Sequence, residues 1–127
     1  MQNINLITPP DIIYNNSFKI LIINLSIEER ETLQSILINL DNNLDIYMYD
    51  NIENLYFDWL LSLLKICDMC IINLDRLSIL LKTLESFIIS HSHTFYMTKG
   101  ENILYPKISN NRIYDLYQIQ HKIGINV

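Results

Sequence analysis

At 127 residues the chain has room for one domain with a buried core. Half of its residues are apolar and 18% are charged, which excludes a disordered chain, and no apolar run approaches the roughly 18 residues of a membrane span. The formal charge of −5 comes without a basic stripe, so the electrostatic footprint of a nucleic-acid binder is missing; only Lys99, Lys107, Arg112 and Lys122 make the C-terminal third mildly basic.

The first residues, Met1-Gln2-Asn3-Ile4-Asn5, lack a basic segment followed by an apolar one, so no signal peptide is expected and the expected compartment is the cytoplasm. Isoleucine and asparagine are very frequent and alanine is absent. Codons for Ile, Asn, Lys and Tyr are AT-rich, so this skew reports genome composition rather than chemistry.

Residues 1–17 read as an N-terminal arm, because Thr8-Pro9-Pro10-Asp11 suits neither a helix nor a central strand. Within it, Ile12-Ile13-Tyr14 is a candidate clasp across the domain. Residues 18–127 read as a single α/β domain. Phe18 to Leu25 is a continuous apolar run with β-branched residues, the pattern of a strand buried on both faces. Ser26 follows as an N-cap, and Ser26-x-x-Glu29 matches a capping box. Leu33, Ile36, Leu37 and Leu40 then fall on one stripe of an amphipathic helix. Leu44 to Asp50 alternates in part and reads as a second strand nearer an edge. Leu55 to Ile66 is a strongly apolar helix with few charges, and Met69-Cys70-Ile71-Ile72-Asn73-Leu74-Asp75 is a third strand of the same form as the first. Arg76 to Ser90 reads as a helix, Thr94 to Thr98 as a fourth strand, and Arg112 to Leu116 as a short fifth.

Strands alternating with helices argue for a parallel sheet covered on both faces. Right-handed crossovers lead to a flavodoxin-like three-layer sandwich with four to five parallel strands in the order 2-1-3-4(-5).

In such a sheet a ligand binds beyond the carboxyl ends of the strands. The residues expected there are Asn24, Ser26, Asp50, Asn73, Asp75, Thr98 and Lys99. Their competing role is that of strand-end turns and helix caps, which every α/β fold needs. Phosphate and dinucleotide chemistry is disfavoured. It calls for glycines in the first strand-to-helix turn, and the two glycines, Gly100 and Gly124, lie elsewhere.

Cys67-Asp68-Met69-Cys70 is a C-x-x-C that closes a helix rather than opening one, so it lacks the helix dipole that lowers a thiol pKa. With His91 and His93 it would form a zinc set at the amino edge of the sheet, against the plainer account of buried thiols and exposed histidines. The Leu55 to Ile66 helix, with Leu55, Trp59 and Leu63, is either core or a docking face.

Two resemblances attach to these residues. Asp75 ending the third strand and Thr98 ending the fourth resemble the response-regulator receiver domain, where such positions carry a phosphorylated aspartate and a switch hydroxyl. That family also has acidic residues after strand one to hold magnesium; Asn24-Leu25-Ser26 stands there here, and Lys99 follows the fourth strand rather than the fifth. The resemblance therefore implies a degenerate receiver. Thr8-Pro9-Pro10-Asp11, Asp58-Trp59-Leu60-Leu61, Ile71-Ile72-Asn73-Leu74-Asp75 and Asn111-Arg112-Ile113-Tyr114-Asp115 together resemble small proteins of T4-like marine phages, which implies a host cytoplasm and brings no activity.

The function expected is that of a non-catalytic α/β interaction module with a protein partner or a second copy. The alternatives are a receiver-like or small-ligand domain centred on Asp75 and a zinc-stabilised structural domain. No cofactor, nucleic acid or membrane is expected.

Overall fold

The computed structural model describes residues 4–39, 43–50, 56–76, 93–98 and 111–122. Five strands form one parallel sheet: β1 (Ile4–Ile7), β2 (Phe18–Ile23), β3 (Leu44–Tyr49), β4 (Met69–Asn73) and β5 (Thr94–Met97). Their spatial order is β1-β3-β2-β4-β5. Among the described residues the helices are α1 (Ile27–Leu37), α2 (Phe57–Ile66) and a single turn, α3 (Ile119–Lys122). Short 3-10 segments cover Leu74–Arg76 and Leu116–Gln118. The chain is thus an α/β protein with a parallel sheet. No described helix is long and apolar enough to cross a membrane.

Alternation along each strand sorts the core into two layers. Leu21, Ile23, Tyr47, Tyr49, Cys70 and Ile72 face α2, where Trp59, Leu60, Leu63 and Leu64 pack on them. Ile20, Ile22, Leu44, Ile46, Met69 and Ile71 face the opposite way, towards Leu33, Ile36 and Leu37 of α1 and towards Leu116 and Ile119. Both faces are covered, which is why Ile20–Ile23 of β2 and Met69–Ile72 of β4 are apolar at consecutive positions rather than at every second one.

The four expected strands lie in the expected mutual order, and the fifth strand differs. Ile4–Ile7, read as arm, adds β1 beside β3 at the far edge, in register with Leu44–Tyr47. Residues 4–7 carry no strand signal of their own, because Asn5 interrupts a run of only four. Its partner is 40 residues away: the Asn5 amide donates to Asp45 Oδ1 at 3.0 Å. At the other edge, Arg112 makes one bridge to Tyr96 and the chain then turns into a 3-10 helix, so Arg112 to Leu116 is no strand. The helix expected over Arg76 to Ser90 falls outside the described residues after Arg76.

Residues 11–17 cross the α2 side of the sheet. Trp59 Nε1 donates to the Asp11 carbonyl at 2.8 Å. The Ile13 amide donates to the Tyr47 hydroxyl at 2.9 Å, and that hydroxyl donates back to the Ile13 carbonyl at 3.2 Å. Beneath this strap lies a buried ion pair. Asn5, Asp45 and Lys19 stand in register across β1, β3 and β2. Lys19 Nζ donates to Asp45 Oδ2 at 2.9 Å and to Asn15 Oδ1 at 2.6 Å. The Asp45 carboxylate therefore has partners on both oxygens, the condition under which a buried charge is tolerable.

Candidate functional site

The sheet reverses its winding between β2 and β4. The chain leaves β2 for β3 on one side, and after β4 it goes on to β5 on the other. Where neighbouring strands send their connections in opposite directions, a crevice opens at their carboxyl ends. Here a cleft of about 330 Å³ lies at that edge, lined by Asn24, Leu25, Ser26, Ile27, Arg30, Asp50 and Arg76.

Local sequence explains its shape. Asn24 ends β2 with φ of 59°, a left-handed conformation that asparagine tolerates better than most residues. Its amide Nδ2 donates to the Arg76 carbonyl at 3.3 Å, tying the ends of β2 and β4 together. Ser26 then caps α1. Its hydroxyl accepts from the Glu29 amide at 3.1 Å, and Glu29 Oε1 accepts from the Ser26 amide at 2.8 Å, so the capping box read from the sequence is formed.

Glu29 also faces inward. The Asn73 amide group lies 3.3 Å from its Oε2, and Arg76 lies 3.2 Å from its Oε1. Arg30 is held at three points. Its Nε donates to the Leu25 carbonyl at 3.2 Å, one terminal nitrogen bonds Asp50 Oδ2 at 3.2 Å, and the other rests on the Met48 sulfur at 3.9 Å. The lining therefore carries two guanidinium groups and one carboxylate, with Glu29 immediately behind Arg76.

Of the residues expected at this edge, Asn24, Ser26 and Asp50 line the cleft. Asn73 is buried and reaches it through Glu29, while its Oδ1 accepts from the Asp75 amide at 3.0 Å. Asp75 and Thr98 form a separate pair on the β4–β5 side, the Thr98 hydroxyl donating to Asp75 Oδ1 at 2.8 Å. Lys99 lies outside the described residues. Arg30, Arg76 and Glu29 were missed as site residues. Glu29 was visible as a cap, but nothing local marks a long side chain that folds back over a strand end.

The docking face expected on α2 is corrected. Trp59 is 5% exposed and Leu63 is fully buried, both in the layer against β2 and β3. The Trp59 ring lies 6.0 Å from that of Tyr49 in a stack and 6.1 Å from that of Tyr47 edge-on. These are core contacts, and they account for the apolar side chains of Trp59 and Leu63. Leu55 lies outside the described residues.

The zinc set is not assembled among the described residues. They contain no group of three or more His, Cys, Asp or Glu side chains placed to hold a metal. Cys70 is buried inside β4 and Cys67 partly buried at the end of α2, whereas His93 is exposed and His91 lies outside the described residues. Burial pushes the Cys67 thiol up to about 12, with the Asp68 carboxylate adding to the rise. Burial raises the Cys70 thiol further still, with Cys67 beside it. Both are held as neutral thiols, which disfavours a nucleophilic role.

Comparison with protein-family models, with curated proteins and with solved structures gives no match.

Proposed function

We propose that the protein is a non-catalytic, flavodoxin-like binding module whose ligand site is the carboxyl-edge cleft, and that it takes a small polar molecule. The observation that carries this reading is the convergence of Asn24, Ser26, Asp50 and Arg76, from beyond three different strand ends, and of Arg30 from α1 on one concave space. The order β3-β2-β4-β5 is that of flavodoxin-like domains, in which this crevice is the usual ligand position. Each strongly charged lining group already has a partner of opposite sign, which suits recognition better than proton transfer.

The test is an amide NMR titration of the labelled protein with ribose, adenosine, citrate and L-ornithine. Saturable shifts confined to Asn24–Arg30, Asp50 and Arg76 are expected with at least one of them. Ile27 is 69% exposed at the cleft wall, so Ile27→Trp should fill the space without disturbing the core and abolish those shifts. Shifts from none of the four, or shifts that Ile27→Trp leaves unchanged, count against the reading.

A second reading, contact with a protein partner or a second copy, rests on a different surface from the one first expected. Tyr114 and Tyr117 are 74% and 58% exposed within one short segment after β5, and exposed tyrosines are enriched at interfaces. Sedimentation velocity over a concentration series tests self-association. A concentration-dependent dimer lost in a Tyr114→Asp, Tyr117→Asp double variant supports it, and a monomer throughout removes the second copy.

A further inference from the structure

The charges around the cleft narrow the class of ligand, given that the cleft is the binding site proposed above. Arg76 and Asp50 stand on opposite sides of it, from the ends of β4 and β3, with β2 between them. Two strand spacings separate β4 from β3, about 10 Å. Each is only partly engaged. Arg76 uses one terminal nitrogen on Glu29, and among the described residues its other N–H groups make no bond. Asp50 uses Oδ2 on Arg30, and among the described residues Oδ1 accepts nothing. A ligand therefore meets an unspent fork of donors at one end and an unspent anionic acceptor at the other.

Three simpler ligands fit this poorly. A phosphate dianion meets Glu29, which already answers the positive end of α1, and Asp50 on the far wall. A simple cation meets two guanidinium groups. An apolar molecule desolvates the unspent donors of Arg76 and the unspent oxygen of Asp50 and offers them nothing in return. We propose that the cleft takes a small zwitterion, with a carboxylate on the Arg76 fork and a primary ammonium several bonds away on Asp50. Arg–carboxylate pairing is planar and directional, whereas an ammonium is a compact point charge, so the two ends are not interchangeable.

The probe is L-ornithine, whose δ-ammonium is the distant cation and whose α-ammonium sits beside the carboxylate; it is compared with acetate for the carboxylate end and n-butylammonium for the distant ammonium end. Dissociation constants come from amide shifts of Asn24–Arg30. L-ornithine should bind at least about tenfold more tightly than either fragment. Arg76→Gln should weaken L-ornithine and acetate and leave n-butylammonium unchanged. Asp50→Asn should weaken L-ornithine and n-butylammonium and leave acetate unchanged. Both positions are exposed, and circular dichroism with thermal melting confirms that each variant keeps the fold. L-ornithine binding no more tightly than the better fragment overturns the proposal, as does either variant failing to discriminate. If ribose, adenosine or citrate shifts these amides while L-ornithine does not, the cleft stands as a site and the zwitterion falls. If no probe moves them, both fall.

Discussion

Lys19 and Asp45 show what a single pair of residues imposes here. Nothing near either position in the sequence announces the other, 26 residues away, and Lys19 sits inside an otherwise apolar run. Folding makes the pair almost inaccessible, with side-chain exposures of 8% and 0%. Breaking a buried pair from one side leaves an uncompensated charge, so Asp45→Leu alone should cost about 3–5 kcal/mol. The double replacement Lys19→Met, Asp45→Leu should recover most of that loss, because a dry apolar pair has no desolvation penalty. Urea denaturation of both variants checks the order, and a double variant no more stable than the single one contradicts it. The thiols make a second residue-scale prediction. Their pKa values are raised in the folded protein, so the unfolded chain gives up its protons first as pH rises. The native state is then unaffected below the ordinary thiol value of 9.0 and loses stability as pH climbs from there towards about 12. Replacing Cys70 by serine introduces a hydroxyl into the same buried position, so Cys70→Val is the cleaner control: it should flatten part of that alkaline decline in melting temperature. The candidate site follows the same division between local and distant information. Asn24, Ser26 and Asp50 were legible because strand ends mark themselves, while Arg30 and Arg76 reach the cleft through side-chain geometry that no local pattern encodes.

At the scale of elements, α1 and α2 are opposite cases. The capping box of α1 was readable from Ser26 and Glu29 alone, because its hydrogen bonds close within three residues. Ser26→Ala should lower stability by about 1 kcal/mol, measured by denaturant midpoint. Since Glu29 also receives Asn73 and Arg76, Glu29→Ala should cost more than Ser26→Ala, and equal losses would mean that the inward contacts contribute nothing. α2 was readable as a helix but not as to what it covers. Its apolar residues satisfy a core and a docking face equally well, and only the position of Tyr47 and Tyr49 beneath Trp59 decides between them. Trp59→Ala should therefore destabilise the fold by about 3–5 kcal/mol, seen in chemical denaturation, rather than spare it while loosening a partner. The same limit hid β1. A four-residue strand with an exposed Leu6 has no periodic signal of its own, and its place in the sheet depends on β3.

The whole molecule is built outward from β2 and β4, adjacent inner strands with a core layer on each face. That much was plain from sequence, since continuous β-branched runs without breakers have few other uses. Amide hydrogen exchange should rank accordingly, slowest in Ile20–Ile23 and Cys70–Ile72 and fastest in Ile4–Ile7, a four-residue strand at the end of the sheet order. Equal protection in β1 and β2 would show that the sheet opens as one unit. A final consequence follows from the bond between the Trp59 indole and the Asp11 carbonyl. Trp59 is the sole tryptophan of the chain and is buried among two tyrosines. Its fluorescence is therefore an optical gauge of whether residues 11–13 are seated. A red shift of emission at denaturant concentrations that leave the far-ultraviolet dichroism intact would register the strap lifting by itself, before the sheet is lost.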